Sequence, residues 1–331
     1  MKKKKSGDFD RKVGDYHKLF LQIKNETKKI IVGQQDIVDG ILRGIMCDGH
    51  ILVEGVPGIA KTLIVRTLAK TLGIEYSRVQ FTADLLPTDI TGLTIYDKSK
   101  GFTVLKGPIF ANFVIGDEIN RSPPKTQSAM LEAMQEKQVT IGRSTYMLPL
   151  PFFVMATQNP IESSGVYNLP EAQIDRFLFK LKMVYPSTDE EQDILNRNIT
   201  LNKFEDYSLK KIMDGKKILE LQKFVKRIYL SKEIERYIVN ITESTRNPDK
   251  YKLSMGKYIE WGGSPRASIA MFIAAKSEAL LRGQSYVTPH HVKTIAHDVL
   301  RHRLLLNYEG QAENIDRDDI VTEILKKVPV P

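Results

Sequence analysis

The 331-residue sequence carries 49 Lys plus Arg against 40 Asp plus Glu, a formal net charge of +9, with 42% hydrophobic and 27% charged residues. At roughly 150 residues per domain this supplies two globular cores and excludes a fibre, a disulfide scaffold or a wholly disordered chain. Cys47 is the only cysteine and cannot form an intrachain disulfide, and no apolar run reaches the roughly 18 residues of a membrane span, so a soluble, cytoplasmic protein is expected.

Lys2 to Lys5 resemble the start of a signal peptide, but charged residues follow where an apolar stretch is required. These lysines supply four of the nine excess charges, which weakens a nucleic-acid reading, and residues 1–15 are expected to form a basic flexible tail. From Ile51 an apolar run ends in Glu54-Gly55-Val56-Pro57-Gly58. A helical pattern with Leu63, Ile64, Leu68 and Leu72 follows and closes at Gly73, giving strand, loop and helix. Ala111 to Ile115 and Pro151 to Ala156 read as strands buried on both faces, hence an α/β domain with a parallel sheet. Leu93–Tyr96 with Phe102–Leu105, and Val139–Ile141 with Tyr146–Leu148, read as two β-hairpins inserted into it.

After Tyr185-Pro186 the pattern becomes helical, with candidates at Thr188 to about Asn198, Lys217 to about Tyr229, Ser231 to about Ser244, Pro265 to about Arg282 and Pro289 to about Leu306. Ser264 and Thr288 are candidate caps, each followed by proline at the first helical position. The expected division is an α/β nucleotide-binding domain over 16–187 and a helical lid over 188–331.

Gly55-Val56-Pro57-Gly58-Ile59-Ala60-Lys61-Thr62 matches the phosphate-binding pattern G-x-x-x-x-G-K-[ST] except at Ala60. Backbone N–H groups and the helix N-terminus would hold phosphates, Lys61 would reach the β and γ phosphates, and Thr62 would ligate Mg²⁺. The extra methyl of Ala60 is expected to be tolerated through helical dihedrals. Asp117 and Glu118 end a buried strand, where carboxylates are costly without a cation. Asp117 would hold the metal and Glu118 would orient or deprotonate the attacking water. Asn159, at the end of another buried strand, would reach the γ-phosphate or that water, because ligands of α/β sheets sit beyond the carboxyl ends of strands.

Glu54 to Thr62, Gly116 to Ser128, Ala156 to Pro160, Leu169 to Phe177 and Gly263 to Ala267 together resemble the MoxR family of AAA+ ATPases. The resemblance spans roughly Ile30 to Leu305 and implies an AAA+ P-loop NTPase core followed by a smaller all-α lid domain. It also implies Walker A over Gly55–Thr62 extending to Leu63, Walker B at Asp117 and Glu118, sensor 1 at Asn159, an arginine finger at Arg176 and sensor 2 at Arg266. Val32 and Gly33 fall in a segment resembling the one that packs on adenine. Cofactors implied are ATP and Mg²⁺, and the implied assembly is a ring, a hexamer, acting as a chaperone in complex maturation or cofactor insertion. The resemblance also implies a client protein and a partner carrying a von Willebrand factor A domain. Gly116 before the acidic pair departs from the family pattern.

Arg266 in the first turn of a helix opposes the helix dipole unless an anion such as phosphate is near. An arginine supplied by Arg176 to a neighbour's nucleotide would neutralise transition-state charge. Two competing functions are a DNA-directed AAA+ motor or restriction-type NTPase, favoured by charge and the hairpins, and a scaffold that binds ATP without hydrolysing it. The first lacks a DNA-binding module, and the second is opposed by intact Lys61, Glu118, Asn159 and Arg176. His290, His291, His297 and His302 lack the spacing of a zinc site. Trp261 is expected to pack a loop of the lid.

Overall fold

The computed structural model describes residues 2–56, 58, 60–99, 101–160, 165–197 and 204–331, with side chains from residue 7 onward. In chain order, helices α1 (Lys2–Thr27) and α2 (Gln35–Met46) precede β1 (Ile51–Glu54), α3 (Lys61–Leu72), β2 (Tyr76–Gln80) and α4 (Pro87–Thr91). Next come β3 (Gly92–Asp97), β4 (Gly101–Lys106), β5 (Phe113–Asp117), α5 (Pro124–Glu136), β6 (Gln138–Ile141), β7 (Ser144–Met147) and β8 (Phe153–Gln158). Then follow α6 (Glu171–Ile174), β9 (Phe179–Lys182), α7 (Thr188–Asn196), α8 (Gly215–Val225), α9 (Lys232–Ser244), β10 (Ile259–Trp261), α10 (Pro265–Leu281), α11 (Pro289–Leu300), β11 (Leu305–Leu306), α12 (Tyr308–Ala312) and α13 (Arg317–Lys327).

Two compact units emerge, one of residues 21–173 with 181–220, the other of residues 1–20 with 174–180 and 221–331. Residue 187, where the sequence places a boundary, lies inside the first of these units. Residues 188–197 and 204–220 group with the α/β unit, where Ile212 N–H donates to Thr71 O at 2.7 Å and Lys210 N–H to Glu26 at 3.0 Å. Residues 174–180, which carry Arg176, group instead with the helical unit.

The α/β unit is organised by a five-stranded sheet of order β2-β5-β8-β1-β9. β1, β5 and β8 are apolar runs covered on both faces, with Ile51, Leu52, Val53, Phe113, Val114 and Ile115 fully buried. The two expected hairpins are present as β3–β4 and β6–β7, each antiparallel. At the base of the first, Gly92 has φ +101° and a Cβ there would lie 2.2 Å from the Leu105 carbonyl, so only glycine lets the strands meet. Tyr96 and Phe102 sit exposed on this hairpin in edge contact at 5.2 Å.

In the helical unit the first residues differ from the expected flexible tail. Residues 2–15 are helical, the first half of α1, because Val13, Tyr16 and Phe20 recur at helical spacing and are buried. Phe9 stacks on Phe224 with ring centroids 4.9 Å apart. Ser264 caps α10 by accepting from Arg266 N–H at 3.2 Å, as expected, whereas at α11 the His291 side chain accepts the Thr288 N–H at 3.0 Å. Helix α11 stops at Leu300 instead of running to Leu306, since Arg301, His302 and Arg303 turn to hydrogen-bond the 175–180 segment and Leu305–Leu306 pairs with β10. Trp261 is 66% exposed and does not pack as expected.

Candidate active site

Parallel register carries three strand ends to one edge of the sheet. Val53 lies opposite Thr157, Glu54 opposite Gln158, and Gly116 opposite Ala156. Consequently Gly55, the Asp117–Glu118 pair and buried Asn159 emerge side by side where ligands of α/β sheets bind. The residue before the acidic pair is explained by packing: a Cβ on Gly116 would lie 3.1 Å from the Phe81 ring.

The loop after β1 is tied to the sheet by Gly55 N–H donating to Gln158 O at 3.2 Å. Lys61 opens α3, and its ammonium donates to the Gly55 carbonyl, closing the loop on itself. Val56, Thr62 and Leu63 are half-buried and Gly58 is exposed; Pro57 and Ile59 lie outside the described residues. Ala60 has φ 60° and ψ 23°, so its methyl sits in a left-handed conformation and not in the helical one expected, at a cost of about 1–2 kcal/mol. Burial pulls the Lys61 ammonium below the ordinary lysine range, while Asp117 and Glu118 oppose that shift.

Thr157, fully buried on β8, joins the acidic pair: its hydroxyl donates to Asp117 Oδ1 at 2.7 Å and accepts from Glu118 N–H at 2.9 Å. The second bond holds Glu118 in a left-handed conformation, φ 57° and ψ 50°, that turns its side chain out of the strand. Neighbouring β2 supplies partners from one face: Arg78 pairs with Asp117 Oδ2 at 2.7 Å and Gln80 Nε2 donates to Glu118 Oε2 at 3.0 Å. Arg121 lies 3.2 Å from the same Glu118 oxygen. The sequence reading missed Thr157, Arg78 and Gln80, although a lone hydroxyl within an apolar strand is a visible signal.

Beside the loop lies a cavity of about 520 Å³ lined by Ile31, Val32, Gln34, Ala60, Leu63 and Tyr185, among others. Its volume falls in the roughly 300–1,000 Å³ range of small-molecule sites. Gly33 is left-handed beside it, and a Cβ there would meet the Glu190 carboxylate at 2.6 Å.

The two expected arginines lie together in the helical unit. Arg266, in the first turn of α10, reaches Asp175 Oδ2 at 3.4 Å, a carboxylate that meets the conflict with the helix dipole. Arg176 is exposed and makes no hydrogen bond or ion pair among the described residues.

A parallel sheet whose strand ends present a lysine-bearing glycine loop, an acidic pair and an asparagine defines a P-loop nucleotide-binding core of the AAA+ class, followed by a helical lid. Residues 50–179 match the profile of the ATPase family associated with various cellular activities (AAA), and residues 254–324 match that of the AAA lid domain. The chain is 46% identical to Chaperone MoxR1 of Mycobacterium tuberculosis, over 92% of this chain and 81% of that protein. It is 44% identical to YeaC of Bacillus subtilis over 96% of each. A crystal structure of a Cytophaga hutchinsonii protein superposes with a TM-score of 0.92 at 44% identity, covering 100% of this chain and 99% of that one. The chain belongs to the MoxR family of AAA+ ATPases.

Proposed function

We propose that this protein hydrolyses Mg²⁺-ATP in a homomeric ring, a hexamer, and uses that cycle as a chaperone in the maturation of protein complexes, with a von Willebrand factor A domain partner as the expected accessory. The observation that carries the reading is the convergence of Lys61, Asp117, Glu118 and Asn159 at adjacent strand ends beside a cavity fit for a nucleoside.

In this reading Lys61 exchanges the Gly55 carbonyl for β and γ phosphate oxygens, and the unpaired N–H groups of the first turn of α3 face the same anion. Asp117 and the Thr62 hydroxyl are hard oxygen donors, a set that fits Mg²⁺. Held there, Mg²⁺ would neutralise phosphate charge that develops during transfer. Glu118 accepts a proton from the attacking water, for which its carboxylate must be released from Gln80 and Arg121. Asn159 orients that water, Val32 and Gly33 border the base, Arg266 senses the γ-phosphate, and Arg176 serves the nucleotide of a neighbouring subunit.

Nucleotide binding and turnover separate these roles. Lys61→Ala should abolish binding, whereas Glu118→Gln should bind a fluorescent ATP analogue normally and not turn over. Equal loss of binding in both variants would refute the assignment. Turnover should be indifferent to DNA and RNA at physiological salt, and a several-fold stimulation with a steep salt dependence would favour a nucleic-acid motor instead.

A further inference from the structure

The exposed Arg176 sits in a segment whose backbone is gripped by three consecutive residues at the end of α11. Arg301 donates to the Lys180 carbonyl, His302 Nε2 to the Phe177 carbonyl at 3.0 Å, and Arg303 Nη2 to the carbonyls of Asp175 at 3.2 Å and Phe177 at 2.7 Å. Arg303 Nη1 reaches the carbonyls of Leu178 at 3.2 Å and Val299, and its Nε meets Asp175 Oδ1 at 2.8 Å. All five guanidinium donors are used, in a side chain only 3% exposed. The acceptors flank Arg176 on both sides.

A buried ion pair adds little to stability over an apolar replacement of the same volume, so stability does not account for this arrangement. Its geometry does something else. The second Asp175 oxygen accepts from Ser264 Oγ at 3.1 Å and faces Arg266 at 3.4 Å. One carboxylate, on the residue that precedes Arg176, therefore joins the buried Arg303 to the cap of the helix that carries Arg266.

We propose that Arg303, seated on Asp175, is a positioning residue that fixes the backbone of Arg176 for delivery to the nucleotide of a second copy of this chain. The proposal rests on the reading that Arg176 acts between subunits. Arg176 itself touches the transferred phosphoryl group; Arg303 acts through it. A lysine at 303 keeps the charge but offers three donors from one point, too few and too clustered to hold the Asp175 carboxylate and four carbonyls.

The test is complementation between inactive variants in exchanging assemblies. Arg303→Met should lower kcat about tenfold or more while the affinity for a fluorescent ATP analogue stays within about twofold. Mixed with Glu118→Gln, it should regain turnover, because its intact Glu118 meets a well-placed Arg176 from the other chain. Mixed with Arg176→Ala it should not, since neither chain then presents a finger. The reverse pattern, recovery with Arg176→Ala only, would place Arg303 in its own subunit's site and overturn the proposal; so would wild-type kcat or the absence of recovery in both mixtures. Should Arg303→Met fail to bind nucleotide, Arg303→Lys takes its place with the same expected pattern and the same refutations. Arg176→Ala mixed with Glu118→Gln is the control: no recovery there, with labelled subunits shown to exchange, removes the premise that Arg176 acts in trans.

Discussion

In the α/β unit the polar groups stand next to one another at strand ends and are held from adjacent strands: Thr157 joins the Asp117 carboxylate to the Glu118 N–H, while Arg78 and Gln80 pair with the two carboxylates. In the helical unit the corresponding geometry is assembled from afar, with Arg303 reaching Asp175 across 128 positions of sequence. The first construction concentrates function in groups whose loss is total. The second spreads it over a network whose loss displaces an arginine without removing it.

The contrast orders the expected effects. Glu118→Gln removes a general base and should lower turnover by about 10²–10⁴-fold with nucleotide affinity retained. Steady-state hydrolysis of this variant beside Arg303→Met checks the contrast, which breaks if the distant substitution costs as much as the local one.

Each unit also buries a neutral histidine, and these differ in a way that pH can read. His50 donates from Nε2 to Met134 O at 2.9 Å and accepts the Val154 N–H on Nδ1 at 3.0 Å, and burial pushes it down to about 4. His302 is pushed well below the ordinary histidine range by burial and by the neighbouring Arg303 cation. In both, the unfolded chain binds the proton that the folded chain refuses. Their contribution is therefore complete above pH 6.5 and lost as pH falls from there, for His50 down to about 4. For His50 that amounts to about 3 kcal/mol. The stability difference between wild type and His50→Gln, from urea unfolding, should shift by about that much between pH 7.5 and 4.5, against wild type at the low end; a difference independent of pH would contradict it.

Thr157→Val keeps the volume and removes both hydrogen bonds, leaving the Glu118 N–H unpaired in a strained conformation. A loss of about 1–3 kcal/mol in stability is expected from the orphaned donor alone. Turnover should fall as well, because the carboxylate is no longer aimed. Retention of wild-type turnover at lowered stability would reduce Thr157 to packing.

What could be read in the chain follows the same division. The loop at Gly55–Thr62, the Asp117–Glu118 pair and Asn159 lie in short contiguous runs beside apolar strands, so periodicity and motif expose them together. The hairpins were equally visible from alternation around turn residues. Arg303 carried no such signal: an arginine after a helix is usually solvated, and only the tertiary path of residues 175–178 turns it into a donor. Helix α1 was hidden for a related reason. Its lysines dominate the local composition, while the stripe of Val13, Tyr16 and Phe20 gains meaning only against the core it covers. Backbone handedness at Ala60 was also beyond reach, because a motif fixes which residues occur and leaves φ to the fold.

That handedness gives the smallest and most local prediction. Ala60 stands at φ 60°, where glycine is unstrained and a β-branched residue is a genuine outlier. Ala60→Gly should relieve about 1–2 kcal/mol of strain. Against this, glycine gives the unfolded chain more freedom, about 0.4–1 kcal/mol, so the net gain should be about 1 kcal/mol or less. For a chain of this size that raises Tm by no more than about 4 °C. Ala60→Val should move in the opposite direction and by more, since its branched side chain meets the left-handed penalty without the glycine's release. Calorimetry of the three proteins checks the ranking Gly, Ala, Val in falling Tm. If valine proves as stable as glycine, residue 60 adopts right-handed helical angles in solution, and the loop reaches the first turn of α3 by a different path from the one described.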